Sequence, residues 1–267
     1  MSKKLHLPWT IIALSVLLLP LQQPNARENN SSVQAAEINS RIVGGDATTI
    51  DKAKYLVYLR INGKFICGGS LVSPKFVITA AHCIDGVNPS KVTVVGGATR
   101  LSEPGVRRSV TKIIKPQNYN KPKPYHMDVA VLKLASDMKG DNIETIPLCE
   151  ANWKFGDYID VYGWGQLAEN NKAQVQQMRK VRVPLVLRSK CVEAYRQRET
   201  ITDSMFCAGD LAKGKDSCYG DSGGPAIFQN QLCGIVSWGL RCASTKYPGV
   251  YTSIKSVRNF IDRAMKL

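Results

Sequence analysis

The stretch FVITAAHC, Phe76–Cys83, decides how the chain is read. An apolar run of strand-forming residues enters a turn of small residues, and the turn ends on a histidine beside a cysteine. Short runs of the same character recur from Tyr55 onward, broken by Gly, Pro, Asn and Asp. They are YLVYLRI (Tyr55–Ile61), KVTVVGG (Lys91–Gly97), SVTKIIK (Ser109–Lys115), DVAVLKL (Asp128–Leu134), YIDVYGW (Tyr158–Trp164), KVRVPLVL (Lys180–Leu187), QLCGIVSW (Gln231–Trp238) and GVYTSI (Gly249–Ile254). Regular short strands with turn signals between them predict a β-sandwich or a barrel. The pattern weakens between Ser136 and Trp153, which divides the chain into two β-rich halves, each long enough to close a small barrel. Few segments are helical in period. One is the C-terminus, where Ile254, Val257, Ile261 and Met265 share a face behind Thr252 or Ser253 as N-cap.

The length of 267 residues fits one large all-β domain or two small ones. Hydrophobic residues at 44% and charged residues at 21% are enough to bury a core and exclude a disordered chain. Lys3 and Lys4 followed by the apolar run Ile11–Leu19 read as a secretory signal. A membrane span is the competing reading, but the run is roughly half of the ~20 apolar residues a spanning helix needs. Cleavage is expected after Ala26, with Ala36 a weaker site, which makes residues 1–26 a signal peptide. The following stretch, Arg27–Arg41, is polar and aperiodic, reads as disordered, and holds both N-x-S/T sequons, at Asn29 and Asn30. All eight cysteines lie beyond it. An even count behind a signal peptide points to disulfides rather than zinc, since no C-x-x-C pair occurs.

The formal net charge of +15 predicts affinity for polyanions or acidic protein surfaces, with plain solubility as the alternative. The basic residues are spread along the chain and no nucleic-acid module appears, so nucleic acid is not an expected partner. Neither is a membrane, and a monomer is expected.

The chain beyond the leader has two histidines, His82 and His126. His82 closes the opening stretch, where Cys83 would pin its backbone as a positioned base requires, although a structural histidine is also compatible. Asp128 starts an otherwise apolar strand and must be hydrogen-bonded or charge-paired if buried. A third segment, KGKDSCYGDSGGPAIF (Lys213–Phe228), places Asp216, Asp221 and Ser222 within seven residues.

TAAHC, DVAVLKL and GDSGGP in this order resemble the three signature segments of the trypsin-like (chymotrypsin-fold) serine proteases, and the resemblance covers about Ile42–Leu267. It implies an all-β fold of two antiparallel six-stranded β-barrels packed together, meeting near residues 140–153, with a C-terminal α-helix. It also implies a secreted endopeptidase made as a zymogen, with residues 27–41 as propeptide and 42–267 as protease domain. The implied roles are Ser222 as nucleophile, His82 as general base and then acid, and Asp128 as orienter of the imidazole. The N–H groups of Gly220 and Ser222 match the oxyanion hole. Asp216 matches the base of the specificity pocket, with Ser217 beside it and Ser237, Trp238, Gly239 and Gly249 as walls. A carboxylate there favours substrates with Arg or Lys before the cleaved bond. RIVGG (Arg41–Gly45) resembles the activation site, so that cutting after Arg41, by another protease or another copy, frees the Ile42 amine to pair with Asp221. Bridges Cys67–Cys83, Cys191–Cys207 and Cys218–Cys242 are implied in the same way, and Cys149 and Cys233 are then expected to pair with each other.

Departures from the family pattern bear on substrate choice. Arg241 stands where trypsins carry a glycine and would repel basic substrate residues near the pocket mouth, or point to solvent. Tyr219 is expected at the pocket entrance and Tyr125 beside the next subsite, favouring small residues before Arg or Lys. Val95–Arg108 corresponds to the calcium loop of digestive trypsins but offers one acid, Glu103, among Arg100, Arg107 and Arg108, so no calcium and no cofactor is expected. With Lys112, Lys115, Lys121 and Lys123 it forms a basic stretch, read as a solvated face or as a site for an acidic partner. A catalytically inactive binding protein of the same fold is the competing class, and the intact triad positions count against it. Chymotrypsin-like specificity is the other rival, which Asp216 opposes.

Overall fold

Thirteen strands among the described residues place the candidate site residues. The structure, a computed structural model of the chain, describes residues 45–166, 175–214, 216–217, 220–242 and 244–267. The expected leader and propeptide, the Arg41–Ile42 activation site, Cys218 and Tyr219 lie outside the described residues.

A short strand β1 (Asp46–Ala47) precedes the first barrel. That barrel is built from β2 (Leu56–Ile61), β3 (Lys64–Ser73), β4 (Phe76–Thr79), β5 (Val92–Gly96), β6 (Val106–Ile114) and β7 (Ala130–Leu134), closed in the order β2-β3-β4-β7-β6-β5. The second barrel holds β8 (Tyr158–Gly163), β9 (Arg179–Val186), β10 (Met205–Ala208), β11 (Pro225–Phe228), β12 (Gln231–Trp238) and β13 (Gly249–Ser253). Its order is β9-β10-β13-β12-β11-β8, and pairing of β8 with β9 closes it. β1 adds to the outside of β9. Every named strand pair is antiparallel, so the fold is the expected pair of six-stranded barrels.

The period-2 pattern of the sequence fixes the register. Ile159 opposes Val183 and Val161 opposes Val181, all four buried, while Asp160 and Arg182 pair on the other face. Sliding either strand by one residue would turn this apolar set outward. Two hairpins are closed by two-residue turns, Asn62-Gly63 between β2 and β3 and Gln229-Asn230 between β11 and β12, with all four residues left-handed. That backbone matches the twist of the flanking strands.

A helix α1 (Arg188–Tyr195) follows β9, and α2 (Ile254–Ala264) ends the chain. Ser253 is the N-cap of α2, accepting from the Ser256 N–H. Ile254, Val257, Ile261 and Ala264 form its buried face, and Met265 follows as the half-buried C-cap. Three disulfides are described. Cys67 on β3 bonds Cys83, and Cys191 on α1 bonds Cys207 on β10. Cys149, in the connection between the barrels, bonds Cys233 on β12. Backbone bonds from Cys149 to Leu232 (3.0 Å) and from Leu232 to Pro147 (2.9 Å) run beside this last bridge. Cys242 is also disulfide-bonded, and its expected partner Cys218 is outside the described residues.

The Cys149–Cys233 bridge closes a sequence separation of 84, so it restricts the unfolded chain strongly. Replacing both cysteines with serine is expected to lower stability by about 2–5 kcal/mol. Thermal unfolding checks this, and a midpoint equal to that of the parent chain would refute it.

Candidate active site

His82 sits in a single 3-10 turn, Ala81–Cys83, at the end of β4. The turn is anchored on one side by the Cys83 bridge and on the other by the buried Ala80 and Ala81. The His82 N–H donates to Asp128 Oδ1 at 2.9 Å, and its ring Nδ1 lies 2.7 Å from Asp128 Oδ2. Asp128 is fully buried immediately ahead of β7. The Ser237 hydroxyl donates to Oδ2 at 2.6 Å, and the Thr252 hydroxyl donates to the Asp128 backbone carbonyl at 2.9 Å. A carboxylate offers only acceptors, so the neutral imidazole carries its proton on Nδ1 and leaves Nε2 free to accept one.

Ser237 reaches Asp128 because β12 is bulged. The register of β12 against β13 shifts between Val236 and Trp238, which sets Ser237 outside the pairing. A bulge of this kind re-aims one side chain. Reading Ser237 only as a pocket wall missed this second contact, and no local signal marks it, because Asp128 is 109 residues away.

Ser222 lies on a turn where the two barrels come close together. Gly68 on β3 donates its N–H to the Ser222 carbonyl at 2.8 Å, and the Thr79 hydroxyl donates to the Gly68 carbonyl at 2.8 Å. A Cβ on Gly68 would lie 2.9 Å from Gly224 Cα, and one on Gly223 would lie 2.6 Å from the Gly68 carbonyl oxygen. Side chains at these positions would push the barrels apart and Ser222 away from His82. Ser222 and His82 line one cavity of about 250 Å³. No hydrogen bond joins their side chains, and such pairs commonly tighten only around bound substrate. Gly223 and Gly224 donate their N–H groups to Val236 and Asp221, whereas Gly220 and Ser222 donate to no described residue.

The two other aspartates of this loop occupy different surroundings. Asp221 is fully buried and accepts from the Gly165 N–H at 2.8 Å. Its carboxyl group fills the space that side chains at Gly163 and Gly165 would need. Asp216 lines the same cavity with 3% of its surface exposed. Burial pushes its carboxyl up to about 8. The Ser217 N–H, donating at 2.7 Å, and the Ser217 hydroxyl pull it down, while Asp221 pushes it further up. No cation among the described residues contributes. Gly249 is required for a reason that the sequence did not reveal: a Cβ there would collide with Asp216 itself. Gly239 borders the open cavity instead.

Trp238 forms one wall, and Tyr125 stacks on it with centroids 5.8 Å apart while meeting the His82 ring edge-on at 5.8 Å. Arg241 is exposed on the cavity rim. Among the described residues the one His/Cys/Asp/Glu group close enough for a metal is Cys67, His82 and Cys83, whose sulfurs are already in a disulfide. In the basic stretch, Glu103 accepts from the Thr99 N–H, Lys115 pairs with Asp85, and Arg108 donates to the Asp137 carbonyl.

The family model for trypsin matches residues 42–261. The chain belongs to the trypsin family. Seminase of Drosophila melanogaster is 44% identical over 229 residues, which span 85% of this chain and 82% of seminase. The vitellin-degrading protease of Bombyx mori is 38% identical over 225 residues, spanning 83% and 84%. Trypsin beta of Drosophila erecta is 37% identical over 227 residues, spanning 84% and 88%. This trypsin-family chain is a serine endopeptidase, a hydrolase acting on protein substrates.

Ser237→Ala would remove one donor from a carboxylate that has no access to water. The expected cost is about 1–3 kcal/mol. Urea unfolding measures it, and an unchanged midpoint would contradict the geometry.

Proposed function

We propose that this trypsin-family protease is a secreted zymogen that, once cut after Arg41, cleaves peptide bonds following Arg or Lys. One observation carries the specificity. Asp216 is a buried acid with no cation beside it among the described residues, and it lines the cavity that Ser222 and His82 also line. Burying an unpaired carboxylate is unfavourable, so the site gains most from a ligand that brings its own positive charge.

The reaction then runs as acyl transfer. Ser222 Oγ attacks the substrate carbonyl carbon while His82 Nε2 takes the hydroxyl proton. The carbonyl oxygen becomes an oxyanion facing the N–H groups of Gly220 and Ser222. The imidazolium hands its proton to the leaving nitrogen, the C–N bond breaks, and an acyl ester on Ser222 remains. Water then gives a proton to Nε2 and adds to the ester, and Ser222 recovers its proton as the acid leaves. Asp128 holds the imidazole in one tautomer and stabilises its charged form throughout.

Cutting after Arg41 would create an α-amine on Ile42, and the buried Asp221 is the carboxylate proposed to receive it. The expected signal peptide and the described disulfides support secretion into an oxidising compartment. Arg241 on the rim would disfavour a second cation next to the cleaved residue. Lys121 and Lys123, both exposed, would contribute to contact with an acidic protein or polyanion.

Two experiments test the proposal. The chain is cut after Arg41 and profiled with a peptide library, and cleavage should follow Arg and Lys. Ser222→Ala should abolish turnover, and Asp216→Asn should lower kcat/KM for these substrates by about 10²–10³-fold. Cleavage confined to aromatic residues would overturn the specificity reading. The second experiment concerns protons. With an aryl amidine as probe, binding at pH 7 should release a proton from Asp216, and affinity should rise with pH until it levels near 8. In the empty enzyme the sign for stability is the opposite. The folded chain keeps a proton that the unfolded chain releases at its ordinary value of 3.8, so this stabilisation is full below that value and lost as pH rises through about 8. Calorimetry in two buffers of different ionisation enthalpy reads the proton release directly, and zero release would refute it.

A further inference from the structure

The loop that carries Tyr125 to the site has an unusual backbone. Asn120, Tyr125 and Met127 all adopt left-handed conformations, with φ of 61°, 57° and 53°. Such backbone is costly for residues with side chains and persists only where surrounding contacts over-determine it. His126 lies between two of the three. The Tyr125 N–H donates to Asn120 Oδ1 and the Asn120 N–H to the His126 carbonyl, both at 2.9 Å, and the His126 ring adds contacts that reach the other barrel. Its Nδ1 lies 3.0 Å from the Thr202 hydroxyl and 3.3 Å from the Ser204 hydroxyl. Those two hydroxyls are 3.0 Å apart, and Ser204 Oγ also accepts the Met127 N–H at 3.0 Å. On the other side of the ring, the Asn118 amide lies 3.4 Å from Nε2. Thr202 and Ser204 lead into β10 of the second barrel, whereas His126 leads into β7 of the first. The ring therefore bridges the barrels two residues ahead of Asp128.

We infer that His126 is a positioning residue: by clamping its loop to Thr202 and Ser204 it holds the Tyr125 ring between His82 and Trp238, and so sets the selectivity for the residue that precedes Arg or Lys. This rests on the proposed catalytic role of His82 and on Tyr125 bordering that subsite. Loss of the clamp frees the loop to leave its strained conformation, and the aromatic wall moves with it. His126 itself touches neither the reacting atoms nor the substrate.

The test uses the full chain cut after Arg41 and two peptide amides that differ only in Gly or Phe before Arg. The parent enzyme should favour Gly, and Tyr125→Ala should reduce that preference. His126→Ala should reduce the Gly/Phe ratio of kcat/KM by about 5–10-fold, as expected for loss of one or two hydrogen bonds, mainly through KM. His126→Asn, whose amide nitrogen takes roughly the place of Nδ1, should restore most of the ratio. Thr202→Val combined with Ser204→Ala should reproduce the His126→Ala effect and add little to it. Thermal midpoints separate these effects from general unfolding. A His126→Ala enzyme that keeps the parent ratio while Tyr125→Ala loses it overturns the clamp, as does failure of Asn to rescue a folded protein. A Tyr125→Ala enzyme with unchanged selectivity overturns the wall that the clamp is inferred to hold. Absence of cleavage after Arg in both peptides strikes instead at the specificity reading beneath it.

Discussion

A carboxylate with no access to water has to be satisfied from every side, and Asp128 is satisfied only when both barrels are in place. His82, anchored by β4 and the Cys83 bridge, supplies two donors from the first barrel. Ser237 supplies a hydroxyl to the carboxylate from the second, and Thr252 one to the backbone carbonyl of the same residue. Separating the barrels would strand a buried charge, so the interface and the imidazole orientation are maintained by the same hydrogen bonds.

Glycine sets how near the barrels can come. Gly68, Gly223 and Gly224 leave backbone against backbone where β3 meets the Ser222 turn. Each missing side chain there is a steric requirement, and the Gly68 N–H converts the close approach into a hydrogen bond to the Ser222 carbonyl. Gly163 and Gly165 do the same for the Asp221 carboxyl group, and Gly249 for Asp216. The glycines thus act in groups, each group making room for one polar element of the site.

The strands could be read from the sequence because short β-rich runs are bounded by Gly, Pro, Asn and Asp, with clear alternation in β9, and α2 because its buried residues recur at helical spacing behind a serine cap. β1 was not legible: two residues carry no period, and both are exposed, so pairing with β9 alone defines it. The motifs around His82, Asp128 and Ser222 were legible as short local patterns. The contacts of Ser237, Thr252 and His126 were not, because each depends on a residue of the opposite barrel. Within the basic stretch, Lys115 pairs with Asp85 and Arg108 donates to a backbone carbonyl, contacts that a sum of charges along the sequence does not reveal.

Three buried aspartates in one molecule show how differently the same group can be accommodated. Asp128 takes donors from both barrels and lies beside a histidine. Asp221 is enclosed by Gly163 and Gly165 and accepts the Gly165 N–H. Asp216 has the Ser217 N–H and hydroxyl and the distant Tyr251 hydroxyl, and its carboxyl is pushed up to about 8. Neutral donors of that number stabilise a carboxylate only partly when water is excluded. Of the three, Asp216 is the one whose electrostatics the described fold leaves incomplete, and it is the one that faces the cavity. On the proposed specificity, the cost of that buried acid becomes selectivity, because a substrate side chain with a cation of the right length would relieve it and any other side chain would not.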